Sequence, residues 1–367
     1  MHAMTETEAL VALNLLPGIG PVRVRRLLSV LGSSTAILQA GAQKLRQIEG
    51  IGPEIAQKIA DWEKNTDLAA ELTRVAKAGV TVVALTDPAY PDNLREIHDP
   101  PLVLYVWGDP SVLKTTQIAI VGTRKPSHYG AECSKKLSYQ LAYAGLTITS
   151  GLARGVDTAA HQAALAARGK TIAVLGAGLG HIYPPENLEL AEKIASFGGA
   201  VISEFPMTTK PDSRQFPMRN RVISGLSFGI LVIEASAKSG ALISANQAAE
   251  QGRAIFAIPG HIDQPGALGS NRLIQQGAKL ILGAQDILDD LGLLFSRQPE
   301  LLPPAPRVEL TGREKVIYDS LGDSTISIDD LIAKCELPSH EVSSTLLALE
   351  MRRLVKQLPG SRFVKLH

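Results

Sequence analysis

Three stretches decide the fold: IAIVGTRKPSHYG (residues 118–130), TITSGLARGVDTAAHQAAL (147–165) and GKTIAVL (169–175). Three short apolar segments run through them, Ile118 to Val121, Leu146 to Thr149 and Thr171 to Leu175. Each ends in glycine or in a small residue beside one, and helix-like sequence follows the first two. This alternation predicts a βαβαβ unit of parallel strands whose loops gather at the strands' carboxyl ends. Ligands collect at such ends, because helix N-termini offer free N–H groups and the positive end of the helix dipole. Arg124, Lys125 and Arg154 fall in two of those loops, and Lys170 opens the third strand. Small residues, free amides and fixed cations together predict a phosphate site.

The same grammar continues outward. AVISEF (200–205), FPMRNRVISGLS (216–227), GILVIEA (229–235), SAKSG (236–240), ALISANQAAEQG (241–252), AIFAIPG (254–260) and a last unit ending in KLIL (279–282) follow in order. They predict an α/β, doubly wound, mostly parallel Rossmann-like sheet of about six or seven strands within residues 80–295. The central strands are apolar throughout, as when both sheet faces are covered. A proline-punctuated link with one strand, Leu102 to Trp107, leads into this core.

Ahead of the core, Thr5 and Glu8 fit a capping box. Pro17-Gly18-Ile19-Gly20-Pro21 recurs as Glu49-Gly50-Ile51-Gly52-Pro53, 32 residues on. Each copy resembles a helix-hairpin-helix element, which predicts an N-terminal helix-hairpin-helix/SAM-like helical domain over 4–75. Gly18, Gly20, Gly50 and Gly52 are its candidate accessory DNA contacts, with Arg23, Arg25, Arg26 and Lys58 as counter-charge. A compact helical domain needs the same glycines for its turns alone. Behind the core, residues 296–308 read as a proline-rich linker. Residues 309–367 read as a winged-helix-like domain, whose second helix carries Glu341 and Glu350 and suits a protein contact or a lid better than DNA.

A formal net charge of +1 leaves any nucleic-acid footprint to local clusters, and 4% aromatic residues limit base stacking. Cys133 and Cys335 form neither a disulfide framework nor a zinc pattern and suit a reducing cytoplasm. No apolar run is long enough for a membrane span, and no metal or cofactor motif is present.

Three ligand classes compete for the phosphate site. A dinucleotide reading fails on Gly176-Ala177-Gly178-Leu179-Gly180-His181, with histidine at the third glycine position, and on Arg124 where a backbone must approach pyrophosphate. A nucleotide-processing hydrolase using the same pocket would rely on Asp157 and Glu234 as acids and His161 as base. Asp157 and His161 share a helix face, although a helix-start carboxylate and a core histidine look alike. The third class is a polyanion held by several loops. Its candidate residues are Gly122, Arg124, Lys125, Ser150, Gly151, Ala153, Arg154, Gly155, Lys170, Arg219, Asn220, Arg221, Lys238, Ser239 and Gly240. On a helix Arg219 and Arg221 diverge; in an extended loop they share one side.

The segments VGTRKPSHYG, SGLARGVDTAAHQAAL, GKTIAVLGAGLGHIYPPEN, ISEFPMTTKP, FPMRNRVISGLS and VIEASAKSGALISANQAAEQGR resemble the DNA processing protein A (DprA/Smf) family in order and spacing. Departures are modest: Thr123 for serine, Val156 for isoleucine, Gly180 for aspartate, and Met207-Thr208 for a small-residue turn. The resemblance implies a non-enzymatic single-stranded DNA-binding protein. It would protect incoming DNA in natural transformation and load the RecA recombinase for homologous recombination. It also implies a homodimer, placed on LGSNRLIQQGAKLIL (268–282), and neither cofactor nor membrane.

Overall fold

The structure, a computed structural model, describes residues 4–290, 292, 310, 312–321, 325–335, 337–351, 354–358 and 360–365. The linker expected at 296–308 lies outside the described residues. The chain divides into one unit ending at Pro299 and a second beginning at Glu300.

The first unit is built on one nine-stranded sheet. Its strands are β1 (Thr81–Ala84), β2 (Val103–Gly108), β3 (Gln117–Val121), β4 (Thr147–Ser150), β5 (Thr171–Val174), β6 (Ala200–Ser203), β7 (Gly229–Val232), β8 (Ala254–Ala257) and β9 (Lys279–Leu280). They lie in the order β1-β2-β6-β5-β4-β3-β7-β8-β9. The run from β6 to β9 is parallel at every step. β2 returns antiparallel along β6, with Tyr105 opposite Ser203, and β1 pairs antiparallel with β2. The sheet is therefore doubly wound and mostly parallel, and larger than expected because this turned-back pair extends one edge. From β3 the chain steps one way through β4, β5 and β6, then crosses back to place β7 on the other side of β3. The two sides of β3 define a topological switch point, where connections diverge and leave a crevice at the strands' carboxyl ends.

All residues of β3, β4 and β5 are buried, which fits strands covered on both faces. Buried polar side chains in this layer are satisfied: Gln117 donates to the Leu113 carbonyl at 2.9 Å and accepts from Thr149 Oγ1 at 2.8 Å.

The helices Glu6–Leu15, Pro21–Leu31 and Pro53–Ala60 precede the sheet. The capping box is present: Thr5 Oγ1 accepts from the Glu8 N–H at 3.2 Å, and the Glu8 carboxylate accepts from the Thr5 N–H at 2.7 Å. Leu10 and Leu13 belong to the same apolar cluster as Val83, Val103 and Tyr105 of the sheet edge. Polar ties add to it, with Asn14 donating to the Glu204 carbonyl and buried Glu71 accepting from the Met207 N–H.

In the second unit the helices Gly312–Ser320, Ile328–Cys335 and Ser339–Met351 surround Ile317, Leu331, Leu346 and Phe363. A hairpin of β11 (Val355–Leu358) and β12 (Arg362–Lys365) follows, with β10 (Ile326–Ser327) on the free side of β12. This is a winged-helix arrangement. Among the described residues no helix is long and apolar enough to cross a membrane.

Candidate nucleic-acid interface

A cleft of about 390 Å³ opens at the switch point. The loop after β3 brings Gly122 and Arg124, the loop after β4 brings Ala153, and the turn after β7 brings Ser239 and Gly240. The crossing helix Gln215–Leu226 supplies Phe216, Arg219 and Asn220.

The floor of the cleft is a buried charge pair. Asp157, in the first turn of the helix Val156–Ala166, accepts from the Gly151 and Ala153 N–H groups at 3.1 and 3.3 Å. Arg219 donates to the Gly151 carbonyl at 2.7 Å and also to the Val174 carbonyl. Burial pushes Asp157 up to about 6, against the opposing pull of the Arg219 charge and the amides. Burial likewise pulls Arg219 down to about 10. Glycine is strongly favoured beside this pair, since a Cβ on Gly151 would lie 2.6 Å from Arg219 Nη2. Gly155 closes the loop at φ +78°, a conformation that disfavours any side chain.

Exposed cations lie in the loops that follow β3, β4 and β7. Arg124, Lys125, Arg154 and Lys238 are all exposed. The Arg124 guanidinium sits 5.6 Å from the Phe216 ring centroid. Arg154 pairs with Glu186, both about half exposed, so the guanidinium keeps a solvent-facing side. Ser239 caps the helix Gly240–Glu250, accepting from the Ala241 N–H at 3.3 Å. Tyr183 packs on Phe216 with centroids 5.8 Å apart, and a shallow pocket beside the cleft is lined by Arg124, Arg154 and this aromatic pair. The low aromatic content hid this pair; its signal lies in HIYPPEN and FPMRN, where each ring directly adjoins proline.

Several expected members are elsewhere. Lys170 precedes β5, so parallel pairing puts it at the opposite, amino edge of the sheet, 3.9 Å from Asp109. Arg221 diverges from Arg219 because the segment is helical; it is 7% exposed and pairs with Asp99 at 3.0 Å and with Glu204. Ser150 is fully buried and donates to the Ile120 carbonyl at 2.6 Å. The Gly151 and Ala153 amides, expected to hold phosphate, are taken by Asp157. Asn220 lines the cleft and accepts from Arg219 Nε at 3.3 Å.

In the helical segment, Gly18 and Gly50 adopt φ of +82° and +81°, and Gly20 and Gly52 each precede a helix that begins with proline. The expected counter-charges are partly occupied. Arg23 and Arg26 donate to the Gly18 and Glu49 carbonyls, Arg25 to the Ile97 and His98 carbonyls, and Lys58 pairs with Glu54.

The candidate acid–base groups have structural duties. Glu234 accepts from the Ser127 N–H and hydroxyl, anchoring the start of the helix His128–Tyr143. His161 is fully buried, shares a 2.7 Å hydrogen bond with Thr171 through Nδ1, and is pulled down to about 3 by burial and by Arg219.

Residues 81–292 match the family model described as DNA recombination-mediator protein A, well over half of the chain. The chain belongs to the DNA recombination-mediator protein A (DprA) family. Residues 302–361 match the DprA winged helix domain, and residues 11–61 match a SAM-like helix-hairpin-helix tandem. Protein Smf of Synechocystis sp. is 36% identical over 94% of this chain and 95% of its own length. The DNA processing protein DprA of Bacillus subtilis is 46% identical over 69% and 81%. Among solved DprA structures, that from Streptococcus pneumoniae covers 79% of this chain and 99% of its own at TM-score 0.69 and 34% identity. The DprA of Helicobacter pylori, solved for its single-stranded DNA binding mode, covers 58% and 97% at TM-score 0.53 and 31% identity.

Proposed function

We propose that this chain is a non-catalytic DNA-processing factor that binds single-stranded DNA along the carboxyl-end cleft. The observation that carries the reading is the pair of exposed cations Arg124 and Arg154, which line one pocket with the Phe216–Tyr183 pair beside the switch-point cleft, with exposed Lys125 and Lys238 in the loops that follow β3 and β7. The cations meet phosphates; the aromatic pair offers a face to one or two bases. Asp157 and Arg219 set the loop from beneath. The DNA-binding relative from Helicobacter pylori supports the ligand class.

In the cell, this binding protects incoming strands during natural transformation in the cytoplasm and delivers them to RecA. The chain acts as a homodimer through the late core, where Ile262 and Leu282 are 89% and 85% exposed. RecA filament growth on protein-coated single strands, with and without this chain, tests the delivery step, and light scattering tests the dimer.

The binding itself is tested by oligonucleotide anisotropy across a salt series. Affinity falls steeply with salt and favours single over double strands, with little sequence preference. Arg124→Ala weakens all sequences alike and lowers the salt slope by about one ion. A flat salt response, or an unchanged slope in Arg124→Ala, overturns the reading.

A further inference from the structure

The amino edge of the sheet carries a second surface that the cleft does not use. Strand order sets the amino ends of β6, β5 and β4 side by side, over about 10 Å at the usual strand spacing. Phe197 precedes β6 and is 72% exposed. Tyr143 precedes β4, is 45% exposed, and lies parallel to Tyr139 with ring centroids 6.3 Å apart. Arg168 and Lys170, both exposed, come between them ahead of β5.

Close contacts make these residues one patch. A Cβ on Gly169 would lie 2.8 Å from Ala142 Cβ, so the turn bearing Arg168 and Lys170 is pressed against the helix end that bears Tyr143. On the other side, the Asp109 N–H donates to the Gly199 carbonyl at 2.9 Å and its carboxylate faces Lys170. That joins Lys170 to the turn carrying Phe197.

Arg168 adds an independent sign of use. It follows the helix Val156–Ala166 at φ +55°, where glycine or asparagine is favoured. Among the described residues no carboxylate pairs with it. A long cation kept in a strained backbone, exposed and unpaired, points to a task for its side chain. Exposed rings interleaved with cations match a ligand of flat bases and evenly spaced phosphates. Rings and arginine are also common at protein interfaces, but lysine is depleted there, and Lys170 sits between the rings in this patch.

We propose that this amino edge is a second contact surface for single-stranded nucleic acid. Bases stack on Tyr143 and Phe197 while Arg168 and Lys170 hold the phosphates between them. The surface extends the strand's path beyond the cleft, and it rests on the reading that an unpaired strand is the ligand.

The test uses the full chain and oligothymidylates of about 10 and about 40 nucleotides, the shorter matched to one compact site. Arg168→Gly removes the charge and relieves the backbone, so its melting temperature holds or rises. Combined with Lys170→Ala, it weakens the longer strand about tenfold, leaves the shorter one unchanged, and lowers the long-strand salt slope by about two ions. Long strands carrying 5-iododeoxyuridine cross-link to Tyr143 or Phe197. Unchanged long-strand affinity, or equal losses at both lengths, overturns the proposal. Arg124→Ala weakens both lengths; its failure to do so overturns the cleft assignment instead, so the two results are separable.

Discussion

Gly151→Ala probes the keystone beneath the cleft. The added methyl would meet Arg219 Nη2 at 2.6 Å and Cζ and Nη1 at 2.7 Å, all fully within the van der Waals boundary. The guanidinium cannot retreat, because the Gly151 and Val174 carbonyls hold it and the Asp157 carboxylate draws it. Overpacking of this kind costs about 1–3 kcal/mol, and weakening a buried charged hydrogen bond costs a similar amount. A total near 3 kcal/mol lowers the melting temperature of a unit this size by roughly 5 °C. Thermal melts followed by circular dichroism read the shift, with Gly240→Ala as control, since a Cβ there meets nothing within 4 Å. The penalty should also shrink in an Arg219→Ala background, where the obstacle is gone, although that variant is itself less stable. A Gly151→Ala melt that coincides with the control, or a penalty undiminished without Arg219, refutes this account of the loop.

Arg221→Ala leaves buried Glu204 without its partner and costs about 3–5 kcal/mol, seen as a lower urea midpoint, while single-strand affinity of the folded protein is unchanged. Asp157 titrates near 6 in the native state against an ordinary 3.8, so the native state takes up its proton first. Its contribution to stability therefore falls as pH rises from about 4 to about 6, and Asp157→Asn flattens this part of the urea-midpoint profile. His161 works in the other direction: held neutral down to about 3, it destabilises the native state as pH falls below 6.5, a loss that His161→Gln removes.

The parallel core was legible because β3, β4 and β5 announce themselves as apolar runs ending at glycine. β2 was visible as a strand, but its reversal onto β6 depends on a tertiary pairing that no local pattern encodes. The candidate site was legible wherever a residue follows a strand, as Arg124, Arg154 and Lys238 do. Lys170 was misplaced although its position before β5 already assigns it to the far edge; closeness in sequence to the glycine loops outweighed strand direction. For Arg221 the deciding fact was whether FPMRNRV is helix or loop. Its proline and weak apolar pattern left that open until the chain crossed from β6 to β7 as a helix. The amides of the loop after β4 were expected to be free, and the competing carboxylate is six residues away from the first of them, on the next helix.

That carboxylate has a further bearing on selectivity among anions. With its own acid group lodged against the Gly151 and Ala153 amides, the loop has two of its donors already filled against inorganic phosphate or a mononucleotide. What remains outward is a set of exposed side-chain charges, each weak alone. On the proposed function, a small anion would engage one such charge at a time and leave quickly, whereas a polymer would engage several together and stay.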